Sequence, residues 1–144
     1  MEKKTETVEN FKIAITSTVK SIIGDKNIEV TFGNEANTKN NKIINLPIIK
    51  NINNISDYKK ARALADSEAL KFKCSDLNVY NSFKPQGNIS KLLYAAAEKV
   101  RYENIGSSYF KGIRENLNYL YEVKSKTKAE YKNIGLVKKN YSKP

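Results

Sequence analysis

Apolar positions recur along this chain with two different periods, and the change of period divides it into elements. From Val8 to Ile23 they fall at Val8, Phe11, Ile15, Val19, Ile22 and Ile23, the three-and-four spacing of one helix face. Gly24-Asp25 ends the run, because glycine readily takes the left-handed conformation that closes a helix. The stretch NIEVTF then sets Ile28, Val30 and Phe32 against Glu29 and Thr31, the alternation of a half-buried strand. A polar stretch, GNEANTKNN, leads to KIINLP, predicted as a second strand. That separation argues against a tight hairpin and leaves antiparallel pairing open. Pro47 ends the second strand, since proline has no N–H for a ladder. No element is predicted for Ile48 to Ile55.

Ser56 or Asp57 is placed to cap a long helix reaching about Cys74, with Tyr58, Ala61, Ala65, Ala69 and Phe72 on one face. SDLNVYNSFKPQGN reads as a connection, punctuated by Pro85 and Gly87. A helix starting at Asn88 or Ser90 carries Leu93, Ala96, Ala97, Val100 and Asn104 on one stripe. Gly106 is expected to be its left-handed cap, and Ser107 or Ser108 the cap of the next helix, which holds Phe110, Ile113, Leu117, Leu120 and Tyr121. After Val123 the chain is lysine-rich and sparse in apolar residues. The predicted class is α+β, mostly α: about four helices with a small two-stranded β element near the N-terminus. Residues 1–123 form the domain and residues 124–144 a lysine-rich tail or linker.

Charge changes the picture less than its size suggests. The 144 residues carry 26 basic and 15 acidic side chains, a net +11, and such a basic protein often meets a polyanion. Lys, Asn and Ile are all abundant, as in NTKNNKIINLPIIKNINNI, the bias of AT-rich codons filling tolerant positions. Only Arg62, Arg101 and Arg114 are arginine, whereas readers of bases and phosphates favour the bidentate arginine fork. Tyr119, Tyr121, Tyr131 and Tyr141 alternate with lysines and could stack bases, but a solvated helix face accounts for them as well. A small basic nucleic-acid-binding protein is therefore the second reading.

Several chemistries are excluded outright. There is no histidine and one cysteine, Cys74, so no Ser-His-Asp or Cys-His site and no cysteine zinc site can be built. Neither GxxxxGK[ST] nor GxGxxG occurs, which removes the P-loop and the dinucleotide fingerprint. The carboxylates Asp66/Glu68 and Glu98/Glu103 lie two and five residues apart, spacings that point away from a shared face. The lone cysteine fits a reducing compartment and a small packed residue. No run approaches the roughly 20 apolar residues of a membrane span. A cytoplasmic binding or adaptor protein without an autonomous active site is expected, with no membrane partner.

FKIAITSTVKSIIGDKNIEVTF, ARALADSEALKFKCSD and AAAEKVRYENIGSSYFKGIRENL, in that order and spacing, resemble the N-terminal region of CobT, a subunit of aerobic, ATP-dependent cobaltochelatase. The positions that fit are Gly24, Asp25, Glu29, Val30, Thr31, Phe32, Ala65, Asp66, Ala69, Leu70, Cys74, Asp76, Glu98, Arg101, Glu103, Ile105, Gly106, Gly112, Asn116 and Leu117, spanning about residues 11 to 120. The resemblance makes residues 1–123 a CobT N-terminal-like domain. It implies a non-catalytic subunit or adaptor in cobalt insertion into a corrin ring during cobalamin biosynthesis. Its partners would be an AAA+ ATPase subunit and a large corrin-binding subunit. This chain would bind no cofactor, while the complex would use ATP, magnesium and cobalt. Full-length members add an acidic linker and a von Willebrand A-type domain. Here the chain stops at Pro144, no Asp-x-Ser-x-Ser occurs, the tail is basic, and the family's Cys-His-Asp reads Cys74-Ser75-Asp76. A truncated, N-terminal form is the expectation.

No catalytic, cofactor-binding or metal-ligating residue is assigned. Asp66, Glu98, Arg101 and Glu103 are the candidate structural network or partner surface, because ionic groups facing a helix seam are usually paired and arginine brings five donors. Arg101→Lys is expected to weaken the fold more than Arg114→Lys. The structural glycines are Gly106, as a cap, and Gly112, whose mid-helix position suggests close approach of another backbone.

Overall fold

The computed structural model describes residues 2–33, 42–50 and 52–140, with side chains over 6–33, 42–50 and 52–128. Helix α1 spans Glu2–Ile23 and buries Ile15, Val19 and Ile22, the expected face. It stops where expected, at Gly24 (φ +83°), whose N–H donates to the Lys20 carbonyl. Strands β1 (Glu29–Phe32) and β2 (Ile43–Leu46) follow. They pair parallel, in register from Glu29 opposite Ile43 to Phe32 opposite Leu46. The antiparallel option therefore falls. Chain length permits this: residues 33–42 extend to on the order of 30 Å, enough to return along a strand of roughly 13 Å.

Helix α2 (Ile55–Cys74) is the centre of the fold, packed against α1, β2 and two later helices. Its cap is Asn54, not Ser56 or Asp57. The Asn54 side chain accepts from the Asp57 N–H at 3.0 Å, and Asp57 reaches back to accept from the Asn53 N–H at 3.1 Å, satisfying two donors reciprocally. Because α2 is surrounded, Ala63, Ala65, Asp66, Ser67, Ala69 and Leu70 are all buried. Phe72 is partly exposed, at 39%, while Tyr58 meets Phe11 edge-on at 4.7 Å. The Lys73 ammonium donates to the Ile22 carbonyl at 2.7 Å, closing the end of α1 from α2.

The expected connection contains a short helix, α3 (Leu77–Ser82), started by Asp76, whose carboxylate accepts from the Asn78 and Val79 N–H groups. Helix α4 (Asn88–Tyr109) runs straight through Gly106, which has no positive φ. Gly106 is therefore not a cap, and neither Ser107 nor Ser108 starts the next helix. The break comes at Phe110, extended at φ −125°, ψ 102°. Helix α5 (Lys111–Asn140) begins at once and continues through the lysine-rich stretch read as tail or linker. Residues 34–41 and 141–144, with Tyr141, lie outside the described residues, as does the Tyr131 side chain.

The core joins α1, both strands, α2 and the facing parts of α4 and α5 through Ile15, Val19, Ile28, Leu46, Leu70 and Leu117 among others. On α5 the expected Ile113, Leu117 and Leu120 are buried. On α4 the expected stripe is wrong: Leu93, Ala96, Ala97, Val100 and Asn104 are exposed. The inward residues are Tyr102, Glu103 and Gly106. Only the C-terminal half of α4 crosses α2, so its contacts, not its apolar periodicity, choose the buried face.

Candidate functional site

The four charged residues singled out from the sequence do not form one network. They belong to three clusters, each tying different helices together. Asp66 has no exposed surface and sits between α1, α2 and α5. The Arg62 Nε donates to its Oδ1 at 2.9 Å, and the Asn116 Nδ2 donates to its Oδ2 at 2.7 Å. Arg62 also donates from Nη1 to the Thr18 hydroxyl at 3.0 Å, which reaches α1. Burial pushes the Asp66 carboxyl above its ordinary value, against the pull of the Asn116 bond and the Arg62 charge.

One residue along α2, Ser67 donates to Glu103 Oε1 on α4 at 2.5 Å, and the Tyr121 hydroxyl of α5 donates to Oε2 at 2.5 Å. Lys99 approaches the same carboxylate at 3.6 Å. Glu103 is thus a buried acceptor shared by three helices. Burial, with the bond to Glu103 and its charge, raises the Tyr121 hydroxyl well above its usual value. Burial likewise pushes neighbouring Tyr102 up to about 12. Both phenols stay protonated at neutral pH, and Tyr121 remains a donor to Glu103.

The third cluster closes the end of α2. Arg101 donates from Nε and Nη2 to the two oxygens of Glu98 at 2.7 and 2.8 Å, and from Nη2 to the Cys74 carbonyl at 2.6 Å. That carbonyl belongs to the last turn of α2, where no intrahelical donor remains. The Ser75 hydroxyl donates to Glu98 at 2.6 Å, so the serine that stands where the family pattern has histidine is an anchor for α4. The Arg101 bond, assisted by Ser75 and opposed by partial burial, lowers the Glu98 carboxyl to about 2. Bidentate geometry, the reason for singling out Arg101, is therefore present.

Arg114 was expected to be idle by comparison, and it is not. Its Nε and Nη2 donate to the Ser107 carbonyl at 3.0 and 2.8 Å, fastening the start of α5 to the end of α4. Arg101→Lys is expected to cost up to about 1 kcal/mol at neutral pH, since the guanidinium is half in water. The sign of the pH dependence follows from Glu98. Its folded value, about 2, lies below the ordinary 4.5, so its contribution is complete above pH 4.5 and lost as pH falls towards 2. Denaturant midpoints of parent and Arg101→Lys should differ at about pH 6 and converge near pH 2. A constant difference would mean that Arg101 acts by something other than this pair.

Gly106 takes the close-approach role expected of Gly112, which is the second residue of α5 rather than a mid-helix position. A Cβ built on Gly106 would lie 2.1 Å from Leu70 Cδ2 and 2.7 Å from its Cγ, so Gly106 is the point where α4 presses on α2. Around Gly112 there is nothing within 4 Å, so no backbone approaches it. Sequence reasoning missed Arg62, Thr18 and Ser67. The i,i+4 spacing of Arg62 and Asp66 was the available signal; Thr18 and Ser67 carried none.

Chemically, this is a set of consumed groups. Among the described residues no buried side-chain nitrogen or oxygen lacks a partner. Among those residues, too, no group of three or more His, Cys, Asp or Glu lies close enough to hold a metal ion, and none of the described helices is long and apolar enough to cross a membrane. A cleft of about 480 Å³ opens between α1, the two strands, residues 47–50 and 52–53, and α2, and none of Asp66, Glu98, Arg101 or Glu103 lines it.

Many positions that carry the resemblance prove to be contact partners: Asp66 with Asn116, Leu70 with Gly106, Glu98 with Arg101 and with Ser75 beside Cys74. No solved structure matches this chain. The sequence model of one family, described as cobalamin biosynthesis protein CobT, matches residues 5–139, which carries the likeness beyond residue 120 and along α5. This chain belongs to the CobT family.

Proposed function

We propose that this protein is a non-catalytic subunit or adaptor of a cytoplasmic, ATP-dependent cobaltochelatase, serving cobalt insertion into a corrin ring through contacts with an AAA+ ATPase subunit and a large corrin-binding subunit. One observation carries the reading: in a member of a cobalamin-biosynthesis family, the buried carboxylates are taken up in hydrogen bonds that cross helix seams. General acid–base work needs a titratable group facing substrate. Here Asp66 and Glu103 face Arg62, Asn116, Ser67 and Tyr121, while Glu98 is held ionised by Arg101. The described donor set does not fit a resident metal, since it offers no cluster of three ligands. On this reading ATP and magnesium belong to the ATPase partner, and cobalt is the cargo of the complex.

The test is a pull-down of the whole chain against the ATPase subunit, the corrin-binding subunit and duplex DNA at about 0.15 M salt. Capture of a chelatase subunit is expected and should survive that salt, because apolar contact is not screened. DNA held by scattered lysines should wash off, since few counterions are released on binding. Retention of DNA with neither subunit captured would replace this reading with the nucleic-acid one.

A further inference from the structure

The N-terminal half of α4 presents an apolar face that nothing among the described residues covers. Ile89, Leu92, Leu93 and Val100 are 66–75% exposed, as is Phe83 just before the helix, at 73%. Ala96 and Ala97 lie exposed between them. Every exposed position of α4 from Ile89 to Val100 is uncharged, in a chain in which 28% of residues are charged. The opposite side of this half-helix is occupied: Tyr94 stacks on Tyr80 of α3 at 4.8 Å, and its hydroxyl donates to the Tyr80 carbonyl. The helix is thus anchored from behind with its apolar face open, and a patch of this kind marks an interaction site.

Three features describe the occupant. Ile89, Leu93, Ala96 and Val100 repeat at four, three and four residues, the seam of helix against helix. Alanines at the middle of that seam allow a second helix to approach closely. They supply little of the bulk that would anchor the face in a lipid surface. The rim is basic: between Leu77 and Tyr102 the charged residues are Lys84, Lys91, Lys99, Arg101 and Glu98, and Glu98 is already bonded to Arg101 and Ser75. The first turn of α4 adds positive character, with no acidic residue and no side-chain cap at Gly87. A second copy of this chain would bring like charges together in a protein already at +11.

We infer that the face of α4 formed by Ile89, Leu92, Leu93, Ala96 and Val100 docks an amphipathic helix of another protein, whose apolar stripe is flanked by Asp and Glu that meet Lys84 and Lys91. The inference goes beyond the chelatase reading and stands whether or not the partner belongs to that complex. It follows the helix-in-groove mode of recognition.

The probe is a labelled synthetic helix of about three heptads, with leucine and alanine on one stripe and glutamate on both flanks, beside a twin carrying lysine in place of glutamate. At about 0.15 M salt the acidic peptide should bind the full chain at least about tenfold more tightly than its twin. Leu93→Glu should abolish that binding and leave the melting temperature unchanged, because the side chain is two-thirds exposed. Lys84→Glu with Lys91→Glu should shift the preference towards the lysine twin. Equal affinity for the two peptides, or no saturable binding of the acidic one, overturns the proposal. So does self-association in sedimentation equilibrium, or retention on phosphatidylserine vesicles, when Leu93→Glu abolishes it. None of these results alters the outcome of the pull-down, so the two proposals fail separately.

Discussion

Gly106→Ala destabilises this protein by about 3 kcal/mol, at the upper end of overpacking costs. Alanine is ordinarily the better helix residue by about 1 kcal/mol, so the expected sign is the reverse of the local preference. The cause is Leu70, which is fully buried. The added methyl would lie 2.1, 2.4 and 2.7 Å from its Cδ2, Cδ1 and Cγ. Conflict with the branch carbon as well as the tips leaves no rotamer escape, and α4 must lift from α2. That movement would also stretch the Ser67–Glu103 bond beside it. Gly112→Ala is the control, because the space around Gly112 is open. It should be neutral or stabilising by up to about 1 kcal/mol. Chemical denaturation of the two variants gives opposite signs on this account. In a double-mutant cycle, Leu70→Ala should cost far less in the Gly106→Ala background than in the parent. Equal stability of parent and Gly106→Ala would show that α4 and α2 are not in contact at this point.

Asp66→Ala is expected to cost about 3 kcal/mol, and Asp66→Asn clearly less. Removing the carboxylate leaves the Asn116 amide and one edge of Arg62 without their buried acceptor, and an orphaned buried donor keeps its full desolvation penalty. Arg62 is one-third exposed and partly recovers by turning to water, which holds the cost below that of a wholly buried pair. Asparagine preserves the shape and one acceptor while removing the buried charge. The pH dependence separates the two effects. Burial raises the Asp66 carboxyl above its ordinary 3.8, so the folded state holds that proton more tightly than the unfolded chain. The corresponding stabilisation is complete below pH 3.8 and is lost as pH rises through the raised folded value. Asp66→Asn cannot lose it, so its deficit relative to the parent should shrink from pH 3.8 upward. Denaturant midpoints between about pH 3 and 7 test this. A difference between parent and Asp66→Asn that stays constant across that range would remove Asp66 as a buried titrating carboxyl.

Much of the fold was legible because it is written over short distances. The face of α1, its stop at Gly24, both strands and the end of α2 at Cys74 each depend on residues within a turn or two of one another. Misreadings within that range had local causes. Asn54 competed with Ser56 and Asp57 for one cap, and Asp76 starts a helix too short to show a period. The lysine-rich stretch continues α5 because lysine is a good helix former, although it is poor in apolar residues.

Only the tertiary structure decided the rest. The strand pairing is parallel because of where the chain returns, and no strand residue encodes that. Both stripes of α4 satisfy a helical period, so periodicity could not say which would meet α2 and which would stay open. Gly106 reads as a cap until Leu70 is placed against it. Asp66 with Asn116 and Ser67 with Glu103 are 50 and 36 residues apart, and sequence spacing carries no information at that range. A sequence determines local conformation through interactions between neighbours. Which faces become seams is settled by packing, where volume and hydrogen-bond satisfaction must be solved for all helices together.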